Sequence, residues 1–305
     1  MSITAKDLQS FLSTQTIGIS ISESPDLARL GLGHVHLQDA MVEFARYLLA
    51  SGAKLAYGGD LREGGFTEVL FELVQAHNQS GLPPYERIHN YLAWPIHLQL
   101  SLEQKASLKK IARFHPSNPP IDLHIDKTQF IAPDTPEHQY IWARCLTAMR
   151  EEMTQTMNAR ILLGGRLTEY KGKYPGVIEE AYLTMRAGKP LFLIGGFGGC
   201  PKAVIDALHG EHPESLQASF QLQNNPDYRE FMTYYNTRIQ EEAVDQAQEP
   251  IDYDNLVQFF HEKGVEGLQN GLPPSDNERL FSTPHIPEMI SLVLKGLAEL
   301  AREKE

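Results

Sequence analysis

Short apolar runs alternate with longer amphipathic segments over the first two thirds of the chain. Runs of about four to seven residues rich in Ile, Leu and Val, each ended by turn residues, are typical of buried strands. They lie at Thr16–Ser22, Lys54–Tyr57, Ile88–Trp94, Arg160–Leu163 and Leu191–Ile194. Strands that alternate with helices predict a mainly parallel sheet flanked by helices, which is an α/β, Rossmann-like fold.

The segments between these runs carry apolar residues at helical spacing. Helices are predicted at Val35–Ser51, Phe66–His77, Leu102–Ala112, Glu137–Met157, Gly176–Ala187 and Pro201–Leu208. From His209 onward the pattern predicts helices only, at Phe231–Ala243, Tyr253–Lys263 and Pro287–Arg302. We therefore expect a sheet domain over residues 1–210. Residues 211–305 are expected to form a helical region that packs on that domain or makes an oligomer interface.

Charge and composition narrow the classes of partner. The formal net charge of the 305 residues is −12 and no basic run occurs, so a nucleic-acid backbone is not an expected ligand. No apolar run approaches the roughly 20 residues that span a bilayer, and no signal peptide is visible. Cys145 and Cys200 stand apart from any CxxC pair, which favours a cytoplasmic protein without disulfides. His34 and His36 lack the spacing of a helical metal pair, so no metal site is expected.

Three glycine pairs follow predicted strands and precede predicted helices. They are Gly58-Gly59, Gly164-Gly165 and Gly195-Gly196. In a doubly wound sheet the carboxyl ends of the strands face helix N-termini, whose free N–H groups bind anions, and glycine lets the backbone approach a ligand. Cations follow each pair, at Arg62, Arg166, Lys171, Lys173 and Lys202. The pattern predicts a phosphate site, although each pair alone is also compatible with simple packing, and none matches a P-loop or GxGxxG.

Other polar residues fall near the same predicted edge. Ser20, Ser22 and Asp60 are candidate ligands for phosphate, ribose or base, with turn or helix capping as the alternative. Tyr170 and Tyr174 are candidates to stack on a base. Cys200 begins a helix, a position that can lower a thiol pKa.

The second glycine turn carries a family resemblance. After Gly164-Gly165, the stretch PGVIEE at residues 175–180 resembles the PGGxGTxxE motif of Lonely Guy-type phosphoribohydrolases. The wider pattern GGR…YKG..PGVIEEAYLTMRAGKPLFLIGGFGG is similar to the SLOG superfamily. That superfamily also includes DprA-like proteins, TRPM ligand-binding domains and sensor domains of anti-phage systems. The resemblance covers roughly residues 14–210.

The resemblance implies a nucleotide-binding domain for an ADP-ribose-like or other nucleotide-derived ligand, with no required cofactor. Phosphate is expected on the glycine loops and ribose near Glu179 and Glu180, which are adjacent on a helix, so one of them is expected to reach the ligand. Gly164, Gly165, Gly176 and Glu180 match the motif.

Two departures from the motif bear on activity. Ten residues, Arg166–Pro175, replace a single residue of the motif, and Val177 replaces its threonine. Arg150 is the nearest counterpart of the enzymes' helical arginine, at a different spacing. Two main hypotheses follow: a sensor that passes a signal through the C-terminal helices, or an N-glycosidase with Glu180 and Arg150 as catalytic residues. A third is an interaction protein in which the glycine edge only packs.

Overall fold

The computed structural model describes residues 5–59, 73, 86–110, 112–241 and 248–303. Within these residues a single sheet has six strands, all parallel, in the order β4-β3-β2-β1-β5-β6. The strands are β1 (Thr16–Ser22), β2 (Lys54–Gly58), β3 (Ile88–Leu92), β4 (Arg113–Pro116), β5 (Ala159–Gly164) and β6 (Leu191–Ile194). The predicted α/β, Rossmann-like fold is confirmed.

The part of the chain that the structure describes contains eleven α-helices. They are α1 (Ala5–Leu12), α2 (His34–Ala50), α3 (Leu102–Leu108), α4 (Pro136–Thr156), α5 (Gly176–Arg186), α6 (Gly199–Leu208), α7 (Ala218–Asn224), α8 (Tyr228–Glu241), α9 (Tyr253–Lys263), α10 (Pro274–Ser282) and α11 (Ile286–Arg302). The helix predicted at Phe66–His77 lies, apart from Leu73, outside the described residues. None of the helices is long and apolar enough to cross a membrane among the residues described.

Alternation along the strands divides the core between the two faces of the sheet. On β5, Ile161 and Leu163 join one hydrophobic cluster with α2, whereas Leu162 joins a second cluster with α5 and α6. All six residues of β5 are buried, as expected for an interior parallel strand.

The residues beyond 210 contribute to both clusters. Val293 and Leu297 of α11 pack into the first, and Tyr235 of α8 and Phe260 of α9 pack into the second. The C-terminal helices therefore share the core of the sheet within this chain.

The strand β4 was not predicted. It pairs with β3 from His89–Arg113 to Leu92–Pro116, and it is a short edge strand of sequence RFHP with no buried residue. Hydrophobic periodicity cannot reveal such a strand, because its side chains do not alternate between core and solvent.

The strand order reverses next to β1. From β1 the chain adds β2, β3 and β4 on one side, and then crosses to add β5 and β6 on the other. In open α/β sheets the crevice for a ligand lies outside the carboxyl ends of the strands at this reversal. That position corresponds to the end of β1, at Ser20–Ser22, and the end of β5, at Gly164.

Candidate functional site

A cleft of about 600 Å³ opens at the ends of β1 and β2 and beside the start of α5. It contains several of the residues expected from the sequence: Ser20, Ser22, Gly58, Arg150, Arg166, Gly176 and Glu180. Its volume falls within the range of roughly 300–1,000 Å³ that small-molecule sites occupy. The structure thus places a cleft of ligand size at the reversal point of the sheet.

The floor of the cleft contains a buried network of two arginines and two glutamates. Arg160 Nη1 lies 2.8 Å from Glu180 Oε2, and Arg150 Nη1 lies 2.5 Å from Glu179 Oε2. Arg150 Nε also lies 3.6 Å from Glu180 Oε1. Glu179 accepts a further hydrogen bond from the Thr147 hydroxyl. Two positive and two negative charges make the network neutral, which is how buried charges are normally tolerated.

Glu179 and Glu180 have different surroundings although they are adjacent on α5. Glu179 is fully buried under Arg150, whereas Glu180 lies among the residues that line the cleft. Of the two glutamates, Glu180 is therefore the one whose side chain borders the cleft.

Arg160 was not among the site residues expected from the sequence. This arginine is completely buried on β5, and its Nη1 donates to Ser20 Oγ at 2.8 Å while its Nη2 donates to Thr154 Oγ1 at 3.0 Å. Burial lowers the pKa of the Arg160 guanidinium, and the Glu180 carboxylate acts in the opposite direction. A charged residue within an apolar strand was the available signal, because a buried arginine requires a carboxylate partner.

Arg150 and the glycines of the following loop fit together. A Cβ at Gly176 would lie 2.7 Å from Arg150 Nη2, and a Cβ at Gly172 would lie 3.0 Å from Arg150 Nη1. The missing side chains therefore make room for the guanidinium. Despite its unusual spacing in sequence, Arg150 is brought into contact with both glutamates.

The second glycine pair has the backbone conformation that only glycine adopts readily. Gly164 has φ 59° and Gly165 has φ 107°. A Cβ at Gly165 would lie 2.7 Å from Cys200 Sγ, so α6 packs directly on this turn. The N–H of Gly165 donates to the Ser22 carbonyl at 2.9 Å, and the N–H of Arg166 donates to Ser22 Oγ at 3.1 Å. The turn is thereby fixed to the end of β1.

The third glycine pair lies against protein. A Cβ at Gly195 would lie 2.1 Å from the Phe281 carbonyl oxygen, and a Cβ at Gly196 would lie 2.1 Å from the Thr283 carbonyl oxygen. Beyond it, the N–H of Gly199 at the start of α6 donates to Asp26 Oδ2 at 2.7 Å. A carboxylate of the chain therefore occupies the position at which a helix N-terminus would hold an anion.

The first glycine pair ends a described segment of the chain. Gly58 lines the cleft. At the next position, a Cβ added to Gly59 would collide with the Tyr57 ring. Asp60 and Arg62 lie outside the described residues.

The remaining cations and tyrosines of the prediction are dispersed. Arg166 and Lys171 line the cleft; the first pairs with Glu23, and the second places its ammonium 4.7 Å from the Trp142 ring centroid. Lys173 is buried, and Lys202 pairs with Asp206 on α6.

The two predicted tyrosines have different positions. Tyr170 lines the cleft, whereas Tyr174 is buried and its hydroxyl donates to the Asp252 carbonyl at 3.0 Å.

Cys200 begins α6 but is completely buried. Burial raises the pKa of its thiol well above the usual value, so desolvation outweighs the helix dipole. The thiol lies 3.3 Å from the Arg166 carbonyl oxygen and acts as a packed, weakly donating group.

The fold and the cleft define a doubly wound α/β protein with a crevice at its topological switch point. The chain belongs to the SLOG superfamily: the family model described as SLOG cluster2 matches residues 11–280. No curated protein shows significant similarity to the chain. The match confirms the resemblance and continues past residue 210 into α10. Membership of this family indicates a nucleotide-related function.

Proposed function

We propose that the cleft binds a phosphorylated nucleotide derivative of the ADP-ribose or NAD class and that the chain is a sensor of this ligand. The observation that carries the proposal is the 600 Å³ cleft at the switch point, with Arg166 and Lys171 at its surface. A small anion requires only a few local cations and donors, so the acidic character of the whole chain does not oppose its binding.

The cleft offers a partner for each part of such a ligand. Arg166 and Lys171 supply positive charge for phosphate oxygens, and the Glu180 carboxylate is an acceptor for ribose hydroxyls. Trp142 and Tyr170 provide aromatic surface in the same cleft.

The environment of Glu180 favours a sensor over a hydrolase. One carboxylate oxygen lies 2.8 Å from the Arg160 guanidinium and the other 3.6 Å from that of Arg150, and the side chain is 8% exposed. Because both carboxylate oxygens are engaged by guanidiniums, Glu180 has little freedom to orient a water molecule for hydrolysis. Val177 also presents an aliphatic side chain to the cleft where the related enzymes have a threonine.

The loop that borders the cleft also contacts the C-terminal helices, as a sensor requires. The Tyr170 hydroxyl lies 2.7 Å from that of Tyr253 on α9, and the Tyr228 hydroxyl of α8 donates to the Lys173 carbonyl at 2.5 Å. A ligand that moves this loop would therefore also displace α8 and α9 through these hydrogen bonds.

The second candidate is a nucleotide N-glycosidase. It is favoured by one observation, the 3.6 Å contact of Arg150 Nε with Glu180 Oε1 beside the cleft. In this reaction Glu180 would orient water or stabilise positive charge at the anomeric carbon, and Arg150 would hold Glu180 and a phosphate.

Binding is tested by thermal denaturation and calorimetry with ADP-ribose, NAD⁺ and AMP. A bound ligand raises the melting temperature according to RT ln(1 + [L]/Kd). The double variant Arg166→Gln/Lys171→Gln is expected to weaken binding about tenfold, from two solvent-exposed ionic contacts of about 0.2–1 kcal/mol each. Lys202→Gln is the matched control, because Lys202 is an exposed cation paired on α6. Unchanged melting with every ligand would refute the proposal.

Catalysis is tested by incubating the same compounds with the protein and measuring free base by chromatography. We expect none. Base release that disappears in Arg150→Lys and Glu180→Gln, with folding verified by circular dichroism, would instead identify the N-glycosidase.

A further inference from the structure

A second, smaller cavity of about 260 Å³ adjoins the cleft. Residues 169–171 form a wall that both cavities share. The opposite side of the small cavity is formed by residues 225–228 and Phe231, where α8 begins, and by Pro133 and Gln139. Its volume is below the range of roughly 300–1,000 Å³ for complete small-molecule sites, so it suits one ring of a larger ligand.

Three aromatic residues, Tyr170, Tyr228 and Phe231, are among those that line the small cavity. Tyr170 and Tyr228 lie with ring centroids 5.6 Å apart, and Phe231 lies 5.6 Å from Tyr228. The two tyrosine hydroxyls are engaged elsewhere: that of Tyr170 donates to Gln221 Oε1 at 3.0 Å, and that of Tyr228 donates to the Lys173 carbonyl. The cavity is therefore bordered by aromatic rings whose hydroxyl groups are bonded to other residues of the protein.

The two cavities differ in charge. Glu169 and Asp227 line the small cavity, both are exposed, and neither makes an ion pair with any residue the structure describes. Lys171 is shared, but its ammonium lies over Trp142, a residue of the cleft. Glu169 and Lys171 border both cavities, whereas Asp227 lines only the small one and Arg150 and Arg166 line only the cleft. The small cavity therefore has the more negative lining, even with Glu180 in the cleft.

The position of Glu169 is fixed by the C-terminal region. Its φ is 55°, in the left-handed region, and its N–H donates to Asn225 Oδ1 at 2.7 Å. A non-glycine residue persists in this conformation only where its surroundings impose it. Asn225, which also lines the cavity, imposes it here and sets Glu169 on the shared wall.

We propose that the small cavity is a subsite for a positively charged nitrogen heterocycle, joined to the phosphates that occupy the cleft. Carboxylates and aromatic rings both attract an organic cation, whereas the arginines attract phosphate. The ligand class is a dinucleotide that carries an oxidised pyridinium ring. This inference rests on the proposed function and adds the part of the ligand that the cleft does not bind.

The test compares NAD⁺, NADH and ADP-ribose by isothermal titration calorimetry at low ionic strength. NAD⁺ and NADH differ in the charge of the ring, and ADP-ribose lacks the ring. We expect NAD⁺ to bind about tenfold more tightly than the other two, from two exposed carboxylates and an aromatic contact. Glu169→Gln/Asp227→Asn should remove this preference without weakening the binding of ADP-ribose, because loss of the Glu169 charge beside the cleft does not oppose phosphate. Glu230→Gln, an exposed acid on α8 outside the cavity, is the matched control and should keep it.

The outcomes separate this inference from the function on which it rests. Binding of all three ligands with equal affinity would overturn the subsite and leave the proposed function standing. A preference for NAD⁺ that survives in the double variant would also overturn it. Failure of all three to bind would overturn both proposals together.

Discussion

The second and third glycine turns have the same local sequence pattern and different environments. Both follow a fully buried strand, the interior strand β5 or the edge strand β6, and both lead to a helix with its N-terminus at the same edge. Beside the second turn lies the cleft, with Arg166 and Gly176 in its lining. At the third, the carbonyls of Phe281 and Thr283 cover the glycines, and Asp26 binds the helix N-terminus.

The difference shows that a glycine-rich turn can provide an anion-binding position at a helix N-terminus. The turn itself does not determine which anion binds there. At the N-terminus of α6 this position is occupied by the carboxylate of Asp26, which is 173 residues away from Gly199 in the sequence. At the second turn the long loop to α5 contains Gly172, which leaves space for Arg150. The four predictions below test this contrast.

The largest effect is expected at the buried network of the second turn. Glu180→Ala would leave the fully buried Arg160 without its carboxylate, and breaking such a pair costs about 3–5 kcal/mol of unfolding free energy. Urea denaturation measures this. Asp206→Asn, which breaks an exposed pair on α6, should cost less than about 1 kcal/mol. Equal losses in the two variants would contradict the importance of the network.

The next largest effect on stability distinguishes a glycine packed against backbone, Gly196, from one that lines the cleft, Gly176. Gly196→Ala would place a Cβ 2.1 Å from the Thr283 carbonyl, a rigid backbone atom, and should cost about 1–3 kcal/mol. Gly176→Ala meets only the end of the Arg150 side chain, at 2.7 Å, and should cost less than about 1 kcal/mol while weakening ligand binding. Melting temperature and calorimetry report the two quantities. The reverse ranking would show that the third turn is the ligand site.

A smaller effect on stability is expected when Asp26, which binds the helix N-terminus after the third turn, is replaced. Asp26→Ala removes the carboxylate from the N-terminus of α6 and should cost about 1 kcal/mol. Inorganic phosphate should then raise the melting temperature of the variant more than that of the parent protein. An identical response to phosphate in both proteins would mean that Asp26 does not occupy an anion position.

The smallest effect concerns the rim of the cleft. Glu23→Gln removes an exposed partner of Arg166 and should change stability by less than about 0.5 kcal/mol. Because Arg166 is then available to phosphate, affinity for ADP-ribose should increase about twofold at low salt, and the gain should disappear at high salt. Weaker binding in this variant would indicate that the pair itself positions Arg166.

Much of the fold could be predicted because its signals are local. The alternation of strand and helix patterns along the chain predicted a parallel sheet, and the left-handed φ values of Gly164 and Gly165 explain why glycines lie at the end of β5. The family motif indicated Glu180 in the same way. By contrast, β4 carries no apolar alternation and was invisible.

Tertiary structure alone decided which of these features form the candidate site. The partnership of Arg160 with Glu180 joins a strand to a helix, and Arg150 reaches Glu179 from α4. The sequence by itself determined the backbone: where strands end, where glycine is needed and which helix N-termini are available. The physical reason is that backbone conformation depends on neighbouring residues, whereas the occupant of an anion site or of a cavity is set by side chains that only folding brings together.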